Sequence, residues 1–396
     1  MDNAQFSELS TWITEAGLAG ESESAILAGF CEREVARGLP LARALVLIDT
    51  LHPIYEGRAF RWTRAKRETT LSEYGRTDDD LSRWQGSPFY RLEQSGESLL
   101  RRRLTAQTEA EFSVFPELRA DGITDYVAFA NRFADDDTIG DMDCVYSSWA
   151  TDASQGFDDN DVIHLSRLMP FLALAVKSAS LARIAGTLVE TYLGRDPGRR
   201  VLQGRIRRGV AERIEAVLWF SDLRGYTRIS DTASPEDIIP LLNDYADAII
   251  SAIHEQDGDV LKLMGDGVLA IFTAEDRGRA CDAALTAALA ARRGVAAVNQ
   301  RRAAKGLPVT DMYLALHVGD VFYGNIGSKD RLDFTVIGPA VNEVSRVAAM
   351  CRSVDQPLLV SSAFAAAVGE ARSRLVSVGR YALRGVGRPQ DLFTLE

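Results

Sequence analysis

The spacing of apolar positions changes character near residue 212. Up to about residue 160 it predicts a mixture of helices and strands. Ser22 to Arg37 carries apolar residues at helical spacing and reads as an amphipathic helix. The run ARALVLIDT (42–50) is continuously apolar, as in a buried strand. In GRAFRWTR, Phe60 and Trp62 alternate with basic residues, the pattern of a half-buried strand. ITDYVAFANRF (123–133) and DCVYSSWAT (143–151) predict two more strands. GFDDNDVIHLSRLMPFLALAVKSAS then opens on Asp158 and Asp159 as helix caps and continues at helical spacing, with Pro170 predicting a kink near its start. Leu174, Leu181 and Leu188 repeat at seven with Ile184 between them. Such a seam suits a parallel dimer or a helix laid on its own domain, and both readings stand.

Residues 194–209, GRDPGRRVLQGRIRRG, interrupt the pattern with Pro197, Gly198, Gly204 and Gly209. They read as an arginine-rich linker, either paired with an acidic surface or offered to an anion. Beyond it the strand EAVLWF precedes a long amphipathic helix (235–256) with Ser234 as its cap. DVLKLM, GDG and VLAIF form a hairpin, and an alanine-rich helix fills about 276–304. The strand MYLALHVG leads to a second hairpin, DVFYGNIG with DFTVIG, and a short helix starts after Gly338 and Pro339. The order β-α-β-β-α-β is ferredoxin-like, which makes the fold class α+β.

Composition narrows the classes. Hydrophobic residues are 46% of 396, enough for two or three cored domains. A formal charge of −11 disfavours broad nucleic-acid binding. Cys31, Cys144, Cys281 and Cys351 are scattered, so neither a disulfide framework nor a zinc site is expected. The N-terminus shows no signal-peptide pattern, and the apolar run Leu168 to Val176 is too short to span a bilayer. The expectation is a soluble, cytoplasmic protein with no membrane partner.

Two carboxylates carry the chemistry. Asp222, in FSDLRGYT, stands where a strand gives way to a helix; by itself it reads as a cap. Asp266, in GDG, by itself reads as a turn residue. Together, on neighbouring strands, they make an oxygen-rich edge suited to magnesium and phosphate. Asn342 and Arg346 lie four apart in TVIGPAVNEVSRVA, on one face of a helix. That face is either a plain polar stripe or a pair able to orient a ribose and stabilise a phosphorane.

FSDLRGYT, LKLMGDGVLAIF, TVIGPAVNEVSR and LRGVGRPQDLF occur in the order and spacing of class III nucleotidyl cyclases, and residues 212–396 resemble that catalytic domain. The resemblance implies roles residue by residue. Asp222, Asp266 and the carbonyl of Leu223 would hold two Mg2+ ions, with Mn2+ as a substitute. Asn342 would orient the ribose and Arg346 would stabilise the transition state. Arg384 stands where the family has a phosphate-binding lysine. Lys262 and Thr335 would read the purine, and a lysine, having only donors, suits N1 of adenine and not the N1–H of guanine. The Lys–Thr pair resembles a bacterial subgroup that includes bicarbonate-responsive adenylate cyclases. The implied function is ATP to 3′,5′-cyclic AMP and pyrophosphate, in a head-to-tail homodimer whose sites lie between subunits. A guanylate or relaxed-specificity cyclase is the alternative within the class. A silent nucleotide-sensing scaffold is the alternative outside it, as is a polymerase palm, which would need a basic template channel.

Residues 1–185 resemble a GAF-type sensor, with PAS as the second resemblance. The helix opened by GFDDNDV looks like the exit helix of such domains. The implied organisation is a sensor (1–185), a helical arginine-rich transducer (186–211) and a cyclase domain (212–396). An unidentified small molecule or protein would regulate the sensor.

Overall fold

The computed structural model describes residues 3–75, 77–105, 111–133, 139–140 and 142–396. They form two compact units, Met1–Leu188 and Val189–Glu396.

In the first unit α1 (Asn3–Leu18) and α2 (Glu23–Ala36) precede β1 (Arg43–Asp49), β2 (Gly57–Thr63) and β3 (Glu68–Tyr74). Then come α3 (Asp78–Gln85), α4 (Pro88–Ser95), β4 (Leu99–Arg103), α5 (Phe115–Ala120), β5 (Asp125–Arg132), β6 (Cys144–Thr151) and α6 (Asp159–Leu193). The six strands form one antiparallel sheet in the order β3-β2-β1-β6-β5-β4. Leu9, Phe30, Trp62, Trp149, Leu165 and Leu172 pack α1, α2 and α6 onto one face. Phe89, Leu92, Phe115, Tyr126 and Tyr146 pack α4 and α5 onto the other. From Phe60 to Thr63 burial in β2 alternates, with Phe60 and Trp62 buried and Arg61 between them.

Helix α6 is capped by Asp158, whose carboxylate accepts from the Asp161 N–H at 2.7 Å, while Asp159 turns to Arg101. It continues unbroken through Pro170. By length and composition α6 is long and apolar enough to cross a membrane, longer than the run that stands out in the sequence. Its apolar side is used in the core: Leu165, Leu168, Met169, Leu172, Val176 and Ile184 are buried. Leu181 and Leu188 pack against the same core, while Leu174 is exposed. Polar contacts fix its rotation. Buried Glu23 of α2 accepts from Ser180 (2.8 Å) and Arg183 (3.0 Å), and His164 Nε2 lies 2.8 Å from buried Glu34.

The second unit begins with α7 (Arg195–Leu202) and β7 (Ala211–Leu223). The arginine-rich stretch is therefore partly helical, and some of its charges are paired: Arg200 with Asp196 and Glu212, and Arg205 with Glu212; Arg213, just beyond it, pairs with Asp320. Next are α8 (Tyr226–Thr232), α9 (Pro235–His254), β8 (Asp259–Met264), β9 (Gly267–Phe272), α10 (Arg277–Ala303), β10 (Met312–Gly327), β11 (Leu332–Ile337) and α11 (Pro339–Ser353). The chain ends with β12 (Leu358–Ser361), α12 (Ser362–Ala367), β13 (Leu375–Tyr381) and β14 (Gln390–Leu395). Ser234 occupies the N-cap of α9, but its hydroxyl donates to Asp237 and makes no backbone cap.

The sheet runs β13-β14-β12-β10-β7-β9-β8, with β11 on the far side of the β10 hairpin. Its centre, β10-β7-β9-β8, is antiparallel and realises the β-α-β-β-α-β order expected from the sequence. The strand and hairpin arm expected separately at 312–327 are one strand of 16 residues, paired with β7 from Met312 to Gly324. Val217, Trp219 and Leu223 face α9, α10 and α12. Ala216 and Leu218 face α11 on the opposite side. By alternation Asp222 also falls on the α11 side.

Helix α11 lies along β10. A side chain at Gly319 would meet Ala340 Cβ at 2.9 Å, and Cys351 Sγ is 3.4 Å from the Leu314 carbonyl. His317 bonds Ser361 at 2.8 Å and sits 3.6 Å from Glu343, which accepts from Gln390. A Gly319→Val change should overpack this contact, lower unfolding free energy by about 1–3 kcal/mol and shift α11. Denaturant melts test this, and an unaltered midpoint would contradict the close approach.

Candidate active site

The metal-type residues meet at one end of β7. Asp222 is its penultimate residue, and Asp266 sits in the two-residue turn Gly265–Asp266 between β8 and β9. Gly265 takes φ +66°, the left-handed turn conformation expected for GDG. Asp266 is more than a turn residue, because its carboxylate accepts from the Leu223 N–H at 3.1 Å. Asp222 is not a helix cap: α8 starts after Gly225, which has no side-chain cap bond. The loop after Leu223 is pinned by Arg224 N–H to the Asp311 carbonyl (2.7 Å) and by Thr310 Oγ1 to the Arg224 carbonyl (2.5 Å).

The electrostatics of this corner point to a cation. Burial, and then the neighbouring Asp266 charge, push the Asp222 carboxyl above its ordinary range, with Arg352 offsetting part of the effect. Asp222 Oδ1 is buried and has no hydrogen-bond partner among the described residues. A buried orphan acceptor costs free energy unless something binds it. Two facing carboxylates and a main-chain carbonyl are the hard oxygen donors that Mg2+ takes. Asp222, Asp266 and the Leu223 carbonyl therefore fit a divalent ion. Among the described residues no group of three or more His, Cys, Asp or Glu side chains forms a metal cluster, so phosphate oxygens and water would complete the shell.

Asn342 lies apart from this corner. Asn342 and Arg346 are exposed on α11, one turn from each other. The α11 end that carries Cys351 rests over Leu314, which pairs with Ser221 beside Asp222; the other end rests at Gly319. Asn342 is thus about 14 Å further along the helix than Cys351. Arg384 is exposed in the β13–β14 connection, next to buried Leu383.

Lys262 reaches its position through a bulge. The register of β8 against β9 slips between Val260 and Lys262, so Lys262 pairs with Leu269. Leu269 faces the α11 side, and directly paired residues share a face. There Lys262 forms an ion pair with Asp333 of β11. Thr335, half-buried, is two residues further along the same strand and hence on the same face. The structure therefore assembles two groups on one chain: Asp222 with Asp266, and Lys262 with Asp333 and Thr335. Asp333 and Arg352 were not singled out from the sequence; the period-2 relation of Asp333 to Thr335 was the available signal for the first.

Neither of two surface cavities contains the carboxylates. One, about 380 Å³, lies between α9 and α10 around Asp247, Ser251 and Gly294. The other, about 250 Å³, lies around Arg200, Arg205, Tyr323 and Phe334.

Residues 210–396 match the family model of the adenylate and guanylate cyclase catalytic domain. The C-terminal unit carries a class III nucleotidyl cyclase domain. Adenylate cyclase 1 of Rhizobium meliloti is 32% identical over 157 residues, 39% of this chain and 24% of that protein. Adenylate cyclase of Anabaena cylindrica is 34% identical over 157 residues, 39% of this chain and 30% of that protein. The chain therefore spans less than a third of the length of either relative. The solved guanylyl cyclase Cya2 superposes with a TM-score of 0.42 at 26% identity, over 47% of this chain and 93% of that one.

The cyclase domain should respond to metal through Asp222. In chelator, Asp222→Asn should melt at a higher temperature than the parent, because it removes a buried like-charge pair. Added Mn2+ or Mg2+ should raise the parent's melting point and leave the variant's unmoved. Equal shifts in both proteins would place the ion elsewhere.

Proposed function

We propose that the cyclase domain converts ATP into 3′,5′-cyclic AMP and pyrophosphate. The observation that carries the choice of purine is Lys262, an exposed ammonium on the α11 face beside Thr335. An ammonium donates to the bare N1 of adenine and clashes with the N1–H of guanine. In the reaction the ribose 3′-oxygen bonds to the α-phosphorus, the bond from that phosphorus to the bridging oxygen breaks, and pyrophosphate leaves. Asp222, Asp266 and the Leu223 carbonyl would hold Mg2+, which when bound neutralises phosphate charge and lowers the hydroxyl pKa. Asn342 orients the ribose, Arg346 meets charge developing on the phosphorane, and Arg384 holds the terminal phosphates. These side chains act by position and charge, with no covalent intermediate.

The working form on this reading is a head-to-tail homodimer. Its support is the separation of Asn342 from the carboxylate corner along α11. One chain's Asp222 and Asp266 would face the partner's nucleoside-binding group. The N-terminal unit is read as a GAF-like sensor whose state reaches the cyclase domain through α6. The support is a six-stranded antiparallel sheet covered on both faces and closed by that helix.

Incubation with ATP or GTP and Mg2+ or Mn2+, with products separated by chromatography, should yield cyclic AMP in preference to cyclic GMP. Production of cyclic GMP alone would establish the guanylate alternative, and no product with either nucleotide would favour the silent scaffold. Mixing Asp222→Ala with Asn342→Ala protein should restore activity, since a mixed dimer keeps one intact site. Mixed dimers that form and stay inactive would rule out shared sites. Lys262→Glu with Thr335→Cys should move preference towards GTP, and an unchanged ATP preference would show that the purine is read elsewhere.

A further inference from the structure

We propose that Arg352 makes the carboxylate corner select a metal–nucleotide complex over a free metal ion; this rests on the reading of Asp222 and Asp266 as metal ligands of a cyclase site. Arg352 stands in the last turn of α11. That end of the helix is seated on the strands that carry the corner. Cys351 Sγ lies 3.4 Å from the Leu314 carbonyl, and Leu314 pairs with Ser221, next to Asp222. Tyr313, the residue before Leu314, pairs directly with Asp222. The chain leaving α11 returns to the same place, where the Pro357 carbonyl accepts from the Leu314 N–H. The electrostatics agree with this seating. Burial, together with the Asp222 charge, pushes the Cys351 thiol up to about 12. Burial and the Asp266 charge raise the Asp222 carboxyl, and Arg352 opposes them.

Arg224 and Arg352 both lie near the corner, in different states. The Arg224 guanidinium is committed elsewhere: it donates to Asp355 at 3.3 Å and lies over the Tyr313 ring, 5.6 Å from its centroid. Arg352 is exposed and makes no hydrogen bond or ion pair among the described residues, so its charge is uncompensated. A cation in the last turn also complements the helix dipole. That role is served anywhere in the turn and needs no field that reaches Asp222.

A fixed positive charge beside a cation site acts in opposite senses on two ligands. A free Mg2+ or Mn2+ is repelled. The same ion bound to ATP belongs to a complex of net negative charge, which is attracted. Two facing carboxylates would by themselves draw in a free ion, and Arg352 cancels part of that attraction. The corner then fills when ion and nucleotide arrive together. Because Arg352 is exposed, the effect passes through water, is modest and weakens with salt.

The test compares Arg352→Met and Arg352→Lys with the parent full-length protein. Binding of Mn2+ alone is read from the electron paramagnetic resonance of the unbound ion. Binding of the Mn2+ complex of an ATP analogue, with a methylene in place of the α–β bridging oxygen, is read by calorimetry. Arg352→Met should tighten Mn2+ binding about three- to tenfold and weaken the analogue complex by a similar factor, while Arg352→Lys stays close to the parent. Both shifts should shrink when salt is raised from about 0.05 M to about 0.3 M. A displaced α11 would weaken both ligands, so opposite shifts are the signature of charge. Shifts in the same sense, or no shift in one or both, would overturn the assignment. The underlying site reading fails by a different result, seen without any change at Arg352: Mn2+ binding that Asp222→Asn leaves unmoved, or a parent that takes up no analogue complex.

Discussion

Two like charges held together at the end of a central strand are the constraint around which the second unit is arranged. Asp222 and Asp266 repel in a partly buried corner, and the fold nevertheless holds them close. It does so with ordinary means. β7 is clamped between β9 and β10 by antiparallel ladders, so the place of Asp222 follows from register. The GDG turn fixes Asp266, and the Leu223 N–H orients its carboxylate. The cost appears as a raised Asp222 pKa and an unpartnered buried oxygen. A local penalty retained in an otherwise consistent structure is the mark of a functional site.

Most of the elements that place this corner were legible from apolar spacing. The EAVLWF strand, the 235–256 helix, the GDG hairpin and the alanine-rich helix are long or sharply bounded, and each lies where its period predicts. The long β10 strand was misjudged because Gly319 and Asp320 look like a break. There glycine serves a close approach by Ala340, and Asp320 is paired with Arg213 on the surface. In the first unit α1, α3, α4, α5, β3 and β4 were not identified. Elements such as LLRRR in β4 or DDDLSRWQ in α3 are short and polar, and tertiary packing decides them.

The candidate site rests on motif order, which carries no geometry. Motif order singled out Asp222, Asp266, Lys262, Thr335, Asn342, Arg346 and Arg384, but spacing cannot say which of them meet. That depends on a one-residue bulge in β8 and on the path of the β10–β11 hairpin, both set by register. Asp333 was passed over for the same reason. Its carboxylate looks like ordinary surface charge until the hairpin brings it to Lys262.

The polar contacts of α6 bear on how firmly that helix is seated on its own sheet. Close apolar packing already resists movement of the helix, and buried polar partners add a directional constraint. Glu23 with Ser180 and Arg183, and Glu34 with His164, supply that constraint. Each buried carboxyl group must keep its partner, so a displacement of α6 against α2 would leave a buried polar group unsatisfied. The helix therefore has few allowed positions relative to its own sheet.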